Sequence, residues 1–372
     1  MSKNSLLSKF KTSDVKYISL EDLLDYEQPT KYIVKSTKYN DDFNVPVLTA
    51  GQSFILGYTN EDSGIYDASE NKPVIIFDDF TTNFHWVDFN FKVKSSAMKI
   101  LKPKSNDVNF RYIYYAMSVI SFTPQNHSRH WISVYSKFQI PVPSLETQNE
   151  IVKILDKFEK QIKINSEKLE LCNEQMNWLK FNFFKKAGDS ETKKLDDCCE
   201  LKKGKTPIQK AVPGEYPLVV TTKERKSCDK FDFDKPSVCV PLVSSRGHGI
   251  ASLNQVFYQE GKYAVGNILC VVTPKDYEYL NAEYLYYYLN FFKDTKIVSL
   301  MKGGANVSLT VDSLKGVEIE IPDNTSQIRI VSKLRECDKM TELMVEKIEL
   351  LKKQYEYYRD KILRFKEAKI NE

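Results

Sequence analysis

Two stretches of the chain carry an apolar residue at every third or fourth position, which is the pattern of a long amphipathic helix. In the first stretch the apolar residues are Ile151, Leu155, Phe158, Ile162, Leu169, Cys172, Met176, Leu179 and Phe183. In the second they are Ile330, Leu334, Cys337, Met344, Ile348, Leu351, Tyr355, Tyr358, Ile362 and Phe365. Because a stripe with a mean step of about 3.5 residues needs a partner helix along its length, we expect the two helices to pair with each other. Packing of each stripe as ordinary core is the alternative.

Capping residues mark the ends of the predicted helices. Ser144 and Asp323 each follow a proline, and their side-chain oxygens can accept hydrogen bonds from the free N–H groups of a helix start. Gly188 suits the C-terminal end of the first helix. Asn165 and Thr341 interrupt the apolar stripes, and our hypothesis is that these polar residues fix the register of the helix pair.

The starts of the two helices belong to an internal repeat with an offset of about 179 residues. Residues 140–143 read Ile-Pro-Val-Pro and residues 319–322 read Ile-Glu-Ile-Pro. A glutamine follows each segment, Gln148 in the first copy and Gln327 in the second. The chain is therefore predicted to contain one unit twice, each copy being a globular head followed by a long helix.

Each head is predicted to be mixed α/β. The first has strands at Pro46–Thr49, Val74–Phe77 and Phe89–Val93 and a helix at Asn109–Ile120, and the second has strands at Leu218–Val220, Val238–Val240 and Ile268–Val272 and a helix at Asn281–Phe292. The predicted division is a head over 1–143, a helix over 144–187, a head over 188–322 and a helix over 323–372. The predicted fold class is α+β: two α/β heads, related by an approximate two-fold axis, are joined by two long antiparallel helices that form an intramolecular coiled coil.

Composition limits the location of the protein more than its function. The 372 residues include 54 Lys and Arg against 50 Asp and Glu, so any phosphate-binding surface depends on where the basic residues lie. The seven cysteines contain no CxxC pair, which indicates free thiols in a reducing compartment. Neither a stretch of about 18 apolar residues nor an apolar signal core occurs, so we expect a cytoplasmic protein with no membrane partner.

Signatures of catalysis and of cofactor binding are incomplete. Gly204-Lys205-Thr206 resembles the end of a phosphate-binding loop, but Cys199 stands where that motif needs its first glycine. His127 and His130 have an HxxH spacing with no third ligand nearby in the sequence. The GxSxG elbow, the Asn-Pro-Pro-aromatic loop of adenine methylation and a glycine motif for S-adenosylmethionine are also missing. We therefore expect no catalytic, cofactor-binding or metal-binding residue in this chain.

Two polar loops, 78–86 and 244–249, follow predicted strands at comparable places in the two heads. Their residue types suit the reading of bases, because Arg pairs with guanine, Asn with adenine and Asp with cytosine. Solvated turns are the alternative for each loop. Together with nearby basic and polar residues, the candidates for DNA binding are Asp79, Thr81, Thr82, Asn83, His85, Trp86, Arg129 and His130 in the first head and Thr222, Lys223, Ser244, Ser245, Arg246, His248, Lys302 and Asn306 in the second.

The chain resembles the specificity subunits of type I restriction–modification systems. The resemblance rests on the duplicated head and helix and on the pattern Pro–x4–Gln–x2–Ile-Val–x2–Leu, which starts at Pro143 and again at Pro322. It implies a non-catalytic subunit whose heads each bind one half of a split DNA site in the major groove, while the helices set the gap between the halves. The implied partners are double-stranded DNA, two DNA methyltransferase subunits and restriction subunits. S-adenosylmethionine, ATP and Mg²⁺ would be bound by those partner subunits and not by this chain.

Two other functions stay open at this point. A self-contained DNA methyltransferase or nuclease is disfavoured by the incomplete catalytic motifs. A coiled-coil adaptor that binds only protein would explain the helices, but it gives no reason for two α/β heads.

Overall fold

The computed structural model describes residues 15–49, 53–124, 128–185 and 190–365. Two compact units are present, the first built from Met1–Asn165 with Lys347–Glu372 and the second from Ser166–Glu346. Each unit thus combines one head with a part of each long helix. Gly188 and His127, which the sequence analysis singled out, lie outside the described residues. The division of the chain into four consecutive parts stays a prediction.

The first unit contains short strands, short helices and the start of the first long helix. Its strands are β1 (Lys16–Ser19), β2 (Leu24–Glu27), β3 (Val45–Leu48), β4 (Ile55–Thr59), β5 (Val74–Asp78), β6 (Phe84–Val87), β7 (Lys92–Val93), β8 (Met98–Pro103) and β9 (Gln139–Val142). Its helices are α1 (Leu20–Leu23), α2 (Phe110–Met117) and the start of α3 (Leu145–Lys185), with 3₁₀ turns at Pro29–Tyr32 and Tyr135–Lys137.

The strands of the first unit form two main sheets. One is antiparallel with the order β2-β8-β5-β6, and the other has the order β4-β3-β7 with β7 parallel to β3. A separate antiparallel pair joins β1 to β9. In β5, Ile75 and Phe77 belong to the core that contains α2, whereas Val74 and Ile76 belong to a second core on the other face. The apolar run of β5 is therefore stable as a strand because both of its faces are covered.

The second unit repeats this arrangement. Its strands are β10 (Glu191–Lys194), β11 (Cys199–Lys203), β12 (Tyr216–Val219), β13 (Lys226–Cys228), β14 (Ser237–Pro241), β15 (Phe257–Gln259), β16 (Ala264–Val265), β17 (Leu269–Pro274) and β18 (Glu318–Ile321). Its helices are α4 (Leu195–Cys198), α5 (Ala282–Phe291), α6 (Val311–Lys315) and the start of α7 (Asn324–Leu363), with 3₁₀ turns at Ile208–Lys210 and Val298–Leu300 and a π turn at Lys293–Ile297. The sheets β11-β17-β14-β15, β13-β12-β16 and β10-β18 match those of the first unit strand for strand, which confirms the duplication.

Most predicted strands and both head helices are present, and two predictions need correction. Of the strand predicted at Phe89–Val93, the structure keeps Lys92–Val93 as β7, while Phe91 makes an isolated bridge to Tyr66. The loop predicted at 78–86 ends earlier than expected, because Phe84–Val87 is β6, which pairs with β5. Because β6 is an edge strand in which apolar and polar residues alternate, its sequence resembles that of a loop when its pairing with β5 is not considered.

Within each unit the two long helices run antiparallel. In the first unit the Phe158 ring, near the start of α3, stacks on Tyr358 near the end of α7, with centroids 5.6 Å apart. In the second unit Lys180, near the end of α3, lies with its Nζ atom 3.6 Å from Oδ1 of Asp338, near the start of α7. The predicted stripe residues that the structure describes are buried or half-buried. The predicted antiparallel pairing is thus confirmed.

The polar residues that the sequence analysis singled out in the long helices make two kinds of hydrogen bond. Ser144 accepts a hydrogen bond from the Thr147 N–H (3.4 Å) and Asp323 accepts one from the Ser326 N–H (3.0 Å), so both are N-caps as predicted. Hydrogen bonds from Ser326 also lower the pKa of Asp323. Asn165 and Thr341, however, donate to carbonyl oxygens of their own helices, those of Gln161 and Cys337. These hydrogen bonds do not cross to the partner helix, so we assign neither residue the role of fixing the register.

The glutamine of each repeat joins the long helix to the head. Oε1 of the buried Gln148 accepts from the Asn109 N–H (2.8 Å), and its Nε2 donates to the Pro143 carbonyl (2.8 Å). Gln327 makes the corresponding bonds in the second unit, to the Asn281 N–H and the Pro322 carbonyl, both at 2.8 Å. Because Asn109 is the N-cap of α2, each glutamine fixes the start of a head helix on the start of a long helix.

Gln148→Leu is expected to lower the free energy of unfolding of the first unit by about 2–3 kcal/mol, because it leaves the Asn109 N–H and the Pro143 carbonyl without partners. Urea unfolding of the full chain measures the change. Gln161→Leu is the matched control, since Gln161 is exposed on the same helix. Equal losses in the two variants would show that the buried amide does not carry this stability.

Candidate nucleic-acid interface

The two polar loops singled out in the sequence join equivalent strands. Residues 79–83 connect β5 to β6 in the first head, and residues 242–256 connect β14 to β15 in the second. Because β5 pairs with β6 and β14 pairs with β15, both connections are hairpin loops at the edge of a four-stranded sheet. An edge hairpin can project beyond a sheet and enter a groove of DNA.

The first hairpin is a tight turn held by Asp78. Oδ1 of Asp78 accepts hydrogen bonds from the N–H groups of Phe80 (2.8 Å) and Thr81 (3.0 Å). Its backbone N–H donates to the Asn83 carbonyl (2.8 Å), and its carbonyl accepts from the Thr82 N–H (2.9 Å). Thr81 and Asn83 are exposed at the tip, and Thr82 is half-exposed between them. The turn therefore presents short polar side chains on a fixed backbone.

Asp79, although part of this hairpin, points into the unit. Its Oδ2 atom lies 3.0 Å from Nζ of Lys99, with both side chains 1% exposed. Its Oδ1 accepts from the Trp131 N–H (2.8 Å), and its carbonyl accepts from the His130 N–H (2.8 Å). We therefore assign Asp79 a structural role and leave it out of the interface, which corrects the sequence-based choice.

Three further candidates of the first head are also turned away from the hairpin tip. His130 is buried, with its ring against Phe122. His85 stacks on Phe54, with centroids 4.5 Å apart, whereas Trp86 packs on the opposite face of the sheet. Successive residues of a strand point to opposite faces, so His85 and Trp86 do not share one surface. The structure leaves Thr81, Thr82, Asn83 and the exposed Arg129 as candidates for DNA contact.

The second hairpin is longer and is organised by Ser244. The Ser244 hydroxyl donates to the Ile250 carbonyl (2.6 Å) and accepts from the Arg246 N–H (3.2 Å). The Ser245 N–H donates to the Ser252 carbonyl (2.9 Å). Arg246 and His248 are exposed at the tip.

The structure brings Lys302 and Asn306 to this hairpin, although they are distant in sequence. Ser244 donates from its N–H to the Val307 carbonyl (3.0 Å), and Gly249 donates to the Ala305 carbonyl (3.3 Å). The first head makes an equivalent contact where Asp79 meets residues 130 and 131. Segments 242–256 and 301–309 contain no Asp or Glu, so Arg246 and Lys302 give this surface a positive charge that suits phosphates.

Thr222 and Lys223 lie in the exposed connection between β12 and β13. They are joined to β15 through Arg225, which donates to Oε1 of Gln259 (3.0 Å) and to the Lys223 carbonyl (3.1 Å). Burial lowers the pKa of the Arg225 guanidinium. The described contacts do not join Thr222 or Lys223 to the Ser244 hairpin, so they form a separate candidate patch.

One feature of the hairpins has no signal in the sequence pattern. Thr82 (φ 59°) and His248 (φ 62°) are the non-glycine residues with positive φ in the part of the chain that the structure describes. Each lies in an equivalent hairpin loop of its head. The left-handed region costs a non-glycine residue about 1–2 kcal/mol, because Cβ approaches the following carbonyl oxygen. Such residues persist where surrounding contacts fix the backbone, often at functional sites.

The described ranges contain neither a candidate metal site nor a candidate membrane span. No cluster of three His, Cys, Asp or Glu side chains there could hold a metal ion. None of the helices in these ranges is both long and apolar enough to cross a lipid bilayer.

Sequence comparison connects both halves of the chain to one family. The family model described as type I restriction modification DNA specificity domain matches residues 12–173 and again residues 187–353. The specificity subunit of the type I restriction enzymes EcoR124I and EcoR124II from Escherichia coli is 34% identical over 400 residues, which cover 98% of each chain. A type I restriction enzyme specificity subunit from Haemophilus influenzae is 24% identical over 392 residues, covering 95% of this chain and 96% of that one.

Solved structures show the same fold. The S subunit of a type I restriction–modification system from M. genitalium superposes with a TM-score of 0.63 at 13% identity, covering 95% of this chain and 98% of that one. A chain from a study of complex assembly and conformational transition in the type I R-M system gives a TM-score of 0.57 at 14% identity, with 95% and 98% covered. At such identities the likeness concerns the fold alone.

Proposed function

This chain belongs to the type I restriction–modification DNA specificity family, and from that premise we propose that it reads a split DNA target, with one head for each half-site. Specificity subunits are the non-catalytic subunits of type I restriction–modification systems, so chemistry on DNA falls to partner subunits. The finer proposal concerns how the target is read. Each head would insert its edge hairpin into the major groove, where base pairs differ in their donors and acceptors.

The observation that carries this proposal is the equivalence of the two hairpins. Loops 79–83 and 242–256 connect matching strands, and each is contacted by a second loop of its own head. The side chains at their tips differ, with the exposed Thr81 and Asn83 and the half-exposed Thr82 in one and the exposed Arg246 and His248 in the other. Two heads that bind two different half-sites need the same strand arrangement with different side chains at the hairpin tips, and this is the arrangement found.

We further propose that two DNA methyltransferase subunits bind the long helices and that restriction subunits join for cleavage. Apolar side chains on the second unit's part of α3 support a docking role, since Leu171, Trp178 and Phe181 are 55%, 65% and 46% exposed. S-adenosylmethionine, ATP and Mg²⁺ would be held by those subunits. The relatives' names place them in restriction enzymes, which supports the same assignment for this chain.

The proposal is tested by incubating the chain, alone and with its methyltransferase subunits, with random duplex DNA and labelled S-adenosylmethionine. We expect no methyl transfer by the chain alone, and with the partner subunits we expect methylation of duplexes that share a split sequence. Methyl transfer by the chain alone would favour a self-contained methyltransferase. Absence of any sequence preference in the assembled complex would favour an adaptor that binds protein only.

The length of the helices leads to a prediction for the gap in the DNA target. Insertion of four residues after Gln161 in α3, together with four after Gln354 at the facing position of α7, is expected to change the preferred gap, because the helices would fix the distance between half-sites. The methylated-sequence profile of the assembled complex measures the gap. An unchanged gap with intact half-sites would refute a spacing role for the helices.

A further inference from the structure

We propose that Thr82 and His248 are specificity-determining residues, each held in a strained backbone conformation so that its side chain meets a base edge. The inference rests on the proposed function, and it assigns the discrimination in each half-site to one residue. Both non-glycine residues with positive φ in the described ranges lie in the two equivalent hairpins.

Local contacts fix the strained conformation in the first head. The Thr82 N–H donates to the Asp78 carbonyl (2.9 Å), and the Asp78 N–H donates to the Asn83 carbonyl (2.8 Å), so Asp78 holds both Thr82 and Asn83. Asp79 is in turn held by its buried ion pair with Lys99. Thr82 therefore has no low-cost way to leave the left-handed region.

Different contacts give the same result in the second head. Ser244 bonds to both sides of the loop, at the Arg246 N–H (3.2 Å) and the Ile250 carbonyl (2.6 Å). The Gly249 N–H, directly after His248, donates to the Ala305 carbonyl (3.3 Å). Two unrelated loop sequences thus each place one strained, non-glycine residue in the equivalent hairpin loop.

The residues beside His248 indicate that the shape of the loop does not by itself explain a histidine at this position. Gly247 and Gly249 flank it, and Gly249 itself has a φ of 77°. Glycine adopts positive φ without the Cβ penalty, so a loop that needed only this backbone shape would be more stable with glycine at position 248. The same holds for Thr82, because a β-branched residue is especially disfavoured there. The presence of a side chain at both positions points to a use for that side chain.

The chemistry of both side chains suits a base edge. The Thr82 hydroxyl donates to the Thr81 carbonyl (2.7 Å), which leaves its lone pairs to accept from the amino group of adenine or cytosine and its methyl group to contact the thymine methyl. The His248 imidazole can both donate and accept, and it stands in a segment without acidic residues that would repel DNA.

The experiment compares Thr82→Gly and His248→Gly with the wild-type chain, each assembled with its methyltransferase subunits, on a pool of random duplex DNA. Glycine removes the side chain but suits the backbone, so the variants are expected to fold with an unchanged or higher thermal midpoint. Thr82→Gly is expected to reduce selectivity about 2- to 10-fold at one base pair of one half-site, and His248→Gly at one base pair of the other, as for the loss of a single hydrogen bond. In each variant the untouched half-site is the internal control.

Asparagine variants separate side-chain reading from loop shape. Asparagine tolerates positive φ and keeps a polar group, so Thr82→Asn and His248→Asn are expected to change the preferred base at that position and not to abolish the preference. If the wild-type complex selects a split site and the glycine variants give the same sequence profile, the inference is overturned and the proposed function stands. Loss of selectivity in both half-sites from a single variant would also overturn it. A wild-type complex without any preference would overturn the proposed function itself.

Discussion

Asp79→Asn is expected to lower the free energy of unfolding of the first unit by about 3–5 kcal/mol. The change keeps an oxygen that can accept from the Trp131 N–H, but it removes the charge that lies 3.0 Å from the Lys99 ammonium. Both side chains are 1% exposed, so water cannot replace the missing partner. An uncompensated buried charge costs far more than the loss of an ion pair at the surface.

A double-mutant cycle measures this pair by urea unfolding of the full chain. Lys99→Met should be as costly as Asp79→Asn, because it leaves the carboxylate buried without a counter-charge. The double variant, which removes both charges and keeps the acceptor for Trp131, is expected to regain most of the stability. Asp67→Asn is the matched control, since Asp67 and Lys72 form an exposed pair at 3.9 Å. A double variant whose loss equals the sum of the single losses would contradict the account.

The buried pair also shows why the first head's interface could not be read correctly from the sequence. Asp79 stands among Thr and Asn residues in a loop and follows a strand, which is the usual setting of an exposed polar residue. Its burial depends on Lys99, in a strand that the sequence analysis did not identify, and on the backbone of residues 130 and 131. Exposure of a polar side chain is set by such distant partners, and single-sequence patterns do not contain them.

The long helices were predictable for the opposite reason. Their stripe, their N-caps Ser144 and Asp323 and the repeated glutamines are local patterns whose physical meaning does not depend on the rest of the fold. Even so, the sequence did not give the role of Gln148, which is a buried junction between helix and head. In the second head the sequence analysis placed Ser244, Arg246 and His248 in one loop, and the structure agrees. That loop was predictable because it is long and rich in glycine and serine, which mark a loop locally.

The structure also shows that each repeat contributes side chains to the core of the other repeat's unit, which the similarity of their sequences does not indicate. Phe184 belongs to the first repeat, yet it lies in the core of the second unit, against Tyr284 and Tyr288 of α5. Ile362 and Leu363 of the second repeat lie in turn in the core of the first unit. Each compact unit is therefore completed by the end of the other repeat's helix, so a copy of the repeat is not by itself a folding unit.

Phe184→Ala is accordingly expected to lower the free energy of unfolding of the second unit by about 3–5 kcal/mol. The ring is 1% exposed, and its removal leaves a cavity among four aromatic side chains. Phe181→Ala is the matched control, since Phe181 lies one turn earlier on α3 and is 46% exposed. Hydrogen exchange of the α5 amides locates the loss, which should appear there and be absent from α2 of the first unit. Equal losses in the two variants, or protection lost equally in α2 and α5, would show that the helix end does not complete the second core.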